Sequence, residues 1–350
     1  MSQRVPRVII IETSAECNLR CMGCPISNYT DKRTSLMSFD LFKSIIDRID
    51  FPVTLCPWMI GEPLMNPEYA RMIKYAISKK MRLYITTNAH IWDEELFQAI
   101  TDPGSTCYQI IFSIDGTFSP ASRSIENTRP GSDRSKVIDT VTRFQKLKAA
   151  KGSAIDIATK ICDRGQDYAE KEEYISYWLT HGADYVCVGR MFTNDSAPKV
   201  RTHPCKFMDS MFMAIRWDGE LVPCDYNTHM VNEHAWPLPT LGMTGDLIGI
   251  YNSERYAKFR ELQNKGEYPS PCDQCGFAYT GDGFDGTLVF RNKELGVGTI
   301  SYHEDYYNQF YSLISKRKGA SFTPTYHRCK ECHFLAEKEF EICPSCGKES

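Results

Sequence analysis

The stretch CNLRCMGCP, residues 17–25, places Cys17, Cys21 and Cys24 within eight positions in a C-x3-C-x2-C spacing. Three thiols in one short loop make a metal-ligand set, and a closed tetrahedral zinc site needs a fourth ligand that no near neighbour supplies. Three thiolates suit a cubane iron–sulfur cluster in which one iron keeps an open position. Zinc completed by a distant residue is the alternative on spacing alone. The loop comes directly after the apolar run VIIIE from Val8, so the cysteines stand just past the end of a predicted strand.

Outward from that strand the pattern repeats. Apolar runs begin at Val53, Met81, Tyr108, Ala154 and Ala183, and between them lie segments of helical period such as FDLFKSIIDRI, PEYARMIKYAISKK, DEELFQAI and SKVIDTVTRFQKLKAA. Pro67 and Asp93 stand where helices favour a start, and Gly182 where a helix favours an end. Six strands alternating with helices predict an α/β fold with a parallel sheet, open or curled into a barrel. Chemistry in such folds gathers at the C-terminal ends of the strands, the end that carries the cysteine loop.

Past residue 200 the character changes. FMAIRWDGELVPC reads as a hairpin turning at Asp218-Gly219, SERYAKFRELQN as a helix, and residues 277–315 as mixed strands and loops. A polar linker at 316–326 leads to a compact tail at 327–350. The net charge of −3 offers nucleic acid and anionic membranes little. No apolar run approaches the ~20 residues of a membrane span, and the N-terminus has no signal-peptide pattern. Fifteen cysteines in a chain with no sign of export point to metal ligation in a reducing compartment, and the cytoplasm is the expected location.

The cysteine loop and three later segments together resemble the radical S-adenosylmethionine (radical SAM) superfamily over residues 8 to about 190. The resemblance implies a partial (β/α)6 barrel over residues 1–195. It also implies that Cys17, Cys21 and Cys24 hold a 4Fe–4S cluster whose open iron takes the methionine part of SAM. In that family an electron from the cluster cleaves SAM to a 5′-deoxyadenosyl radical, which removes a substrate hydrogen. IGEPLMNP resembles the family's Gly-Gly-Glu-Pro motif, so Gly61, Glu62 and Pro63 would hold the SAM amino group, Glu62 by a charge-assisted bond. Ile60 replaces the first glycine. TTNA resembles Thr-Asn-Gly, placing Thr87 and Asn88 at the cofactor, with Ala89 where glycine is usual. SIDG would put Ser113 and Asp115 near the ribose. The electron would come from a flavodoxin- or ferredoxin-type donor.

Cys205, Cys224, Cys272 and Cys275 bracket the hairpin and end in a C-x2-C pair. This resembles the SPASM and twitch subfamilies, and implies a small hairpin-and-helix domain at 196–315 with an auxiliary 4Fe–4S cluster. A hairpin-borne zinc site is the alternative. In the tail, Cys329 and Cys332 pair with Cys343 and Cys346 as two C-x2-C knuckles, a four-thiolate pattern resembling zinc ribbons and rubredoxin-like iron sites. Zinc is the favoured metal, and would largely fold so small a tail.

Cys56, Cys107, Cys162 and Cys187 remain, in or beside predicted strands, where cysteine is usually a small core residue. Cys162 and Cys187 lie nearest the reactive strand ends, as candidate hydrogen donors to a substrate radical. Arg190 is a candidate anchor for an anionic or hydroxylated substrate. The twitch layout resembles that of an aminocyclitol dehydrogenase and implies oxidation of a sugar or aminocyclitol, with the auxiliary cluster taking the second electron. A redox-neutral epimerase and a peptide-modifying enzyme are the alternatives. Peptide modifiers often carry an N-terminal leader-binding domain, and this chain starts directly on strand one.

Overall fold

Strand β1 (Val8–Ile11) is a run of β-branched residues buried along its whole length, as a strand covered on both faces must be. In the computed structural model it pairs in parallel with β2 (Thr54–Cys56), Ile10 opposite Cys56. Strands β3 (Arg82–Thr87), β4 (Cys107–Ser113), β5 (Asp156–Asp163) and β6 (Tyr185–Arg190) follow, each parallel to the one before. The structure describes residues 4–6, 8–22, 24, 35–115, 129–163, 168–190, 212–222, 245–269 and 272, and strands at 287–292, 296–301, 327–328 and 335–336.

The crossovers are α1 (Phe39–Ile46), α2 (Tyr69–Ser78), α3 (Glu94–Ile100), α4 (Arg134–Lys151) and α5 (Tyr168–Thr180). The starts of α1, α3 and α4 carry side-chain caps: Ser38 accepts from Leu41 N, Asp93 from Leu96 N, and Asp133 from Ser135 N and Lys136 N. Such caps satisfy orphan donors of the first turn and are worth about 1 kcal/mol each. The expected alternation of strand and helix is therefore present.

Alternation along each strand divides the core in two. Ile9, Ile11, Leu55, Leu83, Ile85, Ile110 and Phe112 face the helices. On the other face Val8, Ile10, Cys56, Tyr84, Ile111, Ala158, Tyr185 and Cys187 pack on one another. A sheet face that packs against itself is curled, and this one forms the partial barrel.

The predicted hairpin is present as β7 (Phe212–Ile215) and β8 (Leu221–Val222), antiparallel, with Gly219 at φ +86° in the turn. It does more than flank the barrel. Strand β7 runs parallel to β1, Val8 opposite Phe212 and Ile11 opposite Ile215, so the sheet order is β6-β5-β4-β3-β2-β1-β7-β8. The free edge of β1 presents backbone donors and acceptors that need partners, and β7 supplies them. Helices α6 (Leu247–Tyr251) and α7 (Glu254–Lys265) follow, and Asn252 between them exchanges two hydrogen bonds with the Arg4 backbone. Further on, β9 (Thr287–Asn292) and β10 (Gly296–Ser301) form a hairpin, and β11 (His327–Arg328) pairs with β12 (Leu335–Ala336). Among the described residues no helix is long and apolar enough to cross a membrane.

Candidate active site

The loop after β1, the loop after β2 and the turn after β3 meet at the C-terminal end of the sheet. Gly61 is pressed against the first of these: a Cβ there would lie 2.2 Å from Ser14 O and 2.8 Å from Glu16 O. Glu62 N donates to Glu16 O at 2.8 Å. The second loop is thereby fixed to the residues leading into Cys17.

Glu62 is 3% exposed and its carboxylate takes three donors. Oε1 accepts from Leu64 N (3.2 Å) and Thr87 Oγ1 (2.8 Å), and Oε2 accepts from Asn88 N (2.7 Å). Burial raises its pKa from 4.5 to about 7, against the pull of these bonds and of Arg129. A carboxylate has about four acceptor sites, so one on Oε2 remains for a ligand. Asn88 continues the network, its Nδ2 donating to Asn18 Oδ1 at 2.7 Å and standing 3.8 Å from Cys17 Sγ. Thr87, Asn88, Gly61, Glu62 and Pro63 are thus one assembly around the first cysteine.

Cys17, Cys21 and Cys24 are all partly exposed. Burial pushes the Cys17 thiol up to about 11, with Glu62, Cys21 and Cys24 adding to the shift and the Leu19 N–H opposing it. Metal binding would therefore release a proton there. Among the described residues no group of three or more His, Cys, Asp or Glu side chains is gathered around a point that one metal ion could fill. A cubane places each thiolate on a different iron, so three thiolates in one loop would hold three of its four irons. The donor set fits a cluster with one iron left for another ligand.

Beyond β4 lies a second buried network. Asp115 is 1% exposed; its Oδ1 accepts from Cys162 N at 2.8 Å and its Oδ2 from Arg129 Nε at 2.9 Å. Arg129 also donates to the Ser113 carbonyl and, at 3.0 Å, to Ser113 Oγ. Burial works against the guanidinium's charge, but Asp115, with Cys21 and Cys162 nearby, holds its pKa above the ordinary value. Asp115 is therefore committed to shaping the strand ends, and Ser113 keeps its own hydroxyl proton to give. No motif marked Arg129, which lies in the long segment between β4 and α4. His90 was equally unmarked, two residues past Asn88 and just beyond the TTNA segment.

The interior face of the sheet carries Cys162 and Cys187. Lys160 stands between Ser113 and Cys187 in register, on the same face as Ala158 and Cys162. Cys187 is 1% exposed, and burial pushes its thiol up to about 12 despite the Lys160 charge. The Arg190 backbone ends β6 opposite Asp163. Cys272 is partly buried, its N–H bonded to Pro269 O. Cys205, Cys224, Cys275, Cys329, Cys332, Cys343 and Cys346 lie outside the described residues.

Comparison with known proteins bears on the same segments. The family model of the Radical SAM superfamily matches residues 11–155, and that of the SPASM iron–sulfur cluster-binding domain matches residues 205–276. The chain is 24% identical over 330 residues to the "Tungsten-containing aldehyde ferredoxin oxidoreductase cofactor-modifying protein" of Pyrococcus furiosus, covering 79% of this chain and 90% of that one. It is 25% identical over 326 residues to an "AdoMet-dependent heme synthase" of Nitratidesulfovibrio vulgaris, covering 77% and 85%. The crystal structure of Streptococcus suis SuiB bound to S-adenosylmethionine shares the fold, with a TM-score of 0.57 at 15% identity over 74% of this chain and 68% of that one. The thiol loop and the carboxylate network at the strand ends thus lie within a radical SAM domain, and a SPASM domain follows it, a pair of domains that supports a radical SAM enzyme using SAM and 4Fe–4S clusters.

Proposed function

We propose that the enzyme removes a hydrogen atom from a small polar substrate and completes a net two-electron oxidation, with a cluster on Cys205, Cys224, Cys272 and Cys275 accepting the second electron. The observation that carries this reading is the second cysteine set, whose four members all fall within the SPASM match at 205–276. Four protein thiolates leave a cluster no open iron, which suits electron transfer rather than substrate binding.

The cluster at Cys17, Cys21 and Cys24 and its SAM supply the hydrogen-abstracting radical when bound. The chain's own residues do the rest. Glu62 offers its remaining acceptor site to the SAM ammonium, and Thr87 and Asn88 hold that carboxylate in place. Ser113 offers its hydroxyl to the ribose, while Asp115 and Arg129 lock the ends of β4 and β5. The curled interior beside Lys160 and Cys187 excludes bulk water from the substrate. Arg190 anchors an anionic or hydroxylated group, and a flavodoxin- or ferredoxin-type protein delivers the first electron.

Sugars and aminocyclitols are the substrate class favoured by the cysteine layout. The two relatives matched along most of the chain are named for modifying a cofactor and for heme synthesis, which extends the class to cofactor precursors and favours a small molecule over a peptide. The tail holds zinc on Cys329, Cys332, Cys343 and Cys346, and the protein works in the cytoplasm without membrane or nucleic acid.

A redox-neutral epimerisation is the second reading, and Cys187 favours it: a thiol pushed up to about 12 stays S–H at neutral pH, the form that can give a hydrogen atom. The test is anaerobic turnover with SAM and reductant in deuterium oxide. Oxidation gives 5′-deoxyadenosine and a product two hydrogens lighter, with no deuterium on carbon. A product carrying one carbon-bound deuterium, lost in Cys187→Ala or Cys162→Ala while SAM cleavage persists, establishes the epimerase instead. Metal analysis should find about eight irons and about one zinc; the triple change of Cys17, Cys21 and Cys24 to alanine should remove half the iron and all SAM cleavage.

A further inference from the structure

The turn after β3 is held from outside the site by a histidine. His90 N donates to Asn88 Oδ1 at 3.0 Å, and His90 Nδ1 lies 2.8 Å from the Asn88 carbonyl oxygen. On the other side of the ring, Nε2 receives Asp133 N at 2.8 Å and stands 3.1 Å from Ser132 Oγ. A backbone N–H can only donate, so Nε2 carries the lone pair and Nδ1 the proton. That tautomer lets Nδ1 donate to the Asn88 carbonyl. The ring therefore bolts the turn to the start of α4, and the same segment accepts Arg20 N on Pro130 O at 3.1 Å, which ties in the cysteine loop.

Between Asn88 and His90, Ala89 is fully buried at φ +66°. Left-handed backbone costs a residue with a Cβ about 1–2 kcal/mol, and the bracket of bonds around it keeps the turn there. The bracket also orients the Asn88 amide. With Oδ1 accepting from the His90 backbone N–H and lying 3.2 Å from Nδ1 of the ring, both Nδ2 hydrogens face the cysteine loop, where two acceptors stand: Asn18 Oδ1 at 2.7 Å and Cys17 Sγ at 3.8 Å.

We infer that Asn88, aligned by His90, donates its second amide hydrogen to the Cys17 sulfur when that thiolate ligates the SAM-binding cluster, and so raises the cluster's reduction potential. The inference rests on the radical SAM assignment of Cys17. A reduced cluster carries one more negative charge than the oxidised one, so a donor on its sulfur stabilises the reduced form more. Asn88 would act on the cluster directly. His90 would be a positioning residue, acting only through Asn88.

The test is an EPR-monitored redox titration of the full chain, reconstituted anaerobically, without SAM. Asn88→Ala and the isosteric Asn88→Asp should weaken reduction of the SAM-binding cluster about tenfold, a shift of about 59 mV to lower potential for one electron. His90→Phe, which keeps the ring's volume and the backbone N–H but none of the ring's hydrogen bonds, should shift it the same way. The SPASM-domain cluster should stay put in every variant, which separates tuning from misassembly. Adding His90→Phe to Asn88→Ala should move the potential no further. An unchanged potential in both Asn88 variants at full iron content overturns the inference, as does an undiminished His90 effect in the Asn88→Ala background. Persistence of that cluster's signal without Cys17, Cys21 and Cys24 would instead refute the assignment beneath it.

Discussion

If Glu62 accepts the SAM ammonium, as proposed above, it couples SAM binding to a proton. Its carboxylate is buried, burial raises its pKa to about 7, and Oε2 accepts one hydrogen bond, from Asn88 N, which leaves it a second acceptor site. A SAM ammonium placed there favours the ionised form, so binding at neutral pH must strip the proton from the fraction of protein that still holds it. At pH 6 about one tenth of Glu62 is ionised, and at pH 8 about nine tenths. SAM affinity should therefore rise about tenfold between pH 6 and 8, about 1.4 kcal/mol, and binding at pH 7 should release about half a proton. Isothermal titration in buffers of different ionisation enthalpy reads both quantities. Glu62→Gln removes the charge-assisted bond, worth about 1.5–3 kcal/mol, and should bind SAM roughly ten- to a hundredfold more weakly at pH 8 with no pH dependence in this window. Wild-type affinity that is flat from pH 6 to 8, with no buffer-dependent heat, would refute the reasoning. The folding linkage has the matching sign. A folded-state value raised from 4.5 to about 7 means that the support Glu62 lends the fold is complete below about pH 4.5 and lost as pH climbs through about 7.

Three further outcomes follow from the packing around the site. Gly61→Ala drives a Cβ to within 2.2 Å of Ser14 O, so it should lower iron retention and SAM binding together; normal values for both would show that the loop can yield. Ala89→Gly relieves the left-handed strain at φ +66° and should stabilise the protein by about 1 kcal/mol in denaturant melts, whereas a loss of stability would mean that the Ala89 methyl packs for more than the strain costs. Gln109 is fully buried with neither amide atom bonded among the described residues; Gln109→Met should raise the unfolding midpoint, since an unmatched buried polar group costs about 1–3 kcal/mol. A lower midpoint there would indicate hydrogen bonds to water or ligand that the protein groups do not reveal.

Much of the fold was legible in sequence because its signals are local. β-branched runs such as VIII and helical periods such as YARMIKYAIS declare their conformation within one segment, and Asp93 caps its helix three residues away. The site was legible in part for the same reason: the cysteine spacing, the Gly61-Glu62-Pro63 turn and the Thr87-Asn88 pair are contiguous words. Arg129 and His90 were not legible, since each works through a partner distant in sequence. Arg129 reaches Asp115 across 14 positions, and His90 reaches Asp133 across 43. No periodicity or spacing marks such a pair.

By itself the sequence determined the parallel α/β scaffold and the end of it that carries the thiols, because residue type and short spacing are sufficient for each; the cofactor was legible only through the resemblance of several contiguous segments to a known family. Tertiary structure alone decided how the polar groups are spent. It committed three of Glu62's acceptor sites to the loops it joins, gave both Asp115 oxygens to Cys162 and Arg129, and laid β7 against β1 to extend the barrel sheet. The reason is physical: a buried donor or acceptor must find a partner in space, and which partner it finds depends on where the folded chain brings the candidates together.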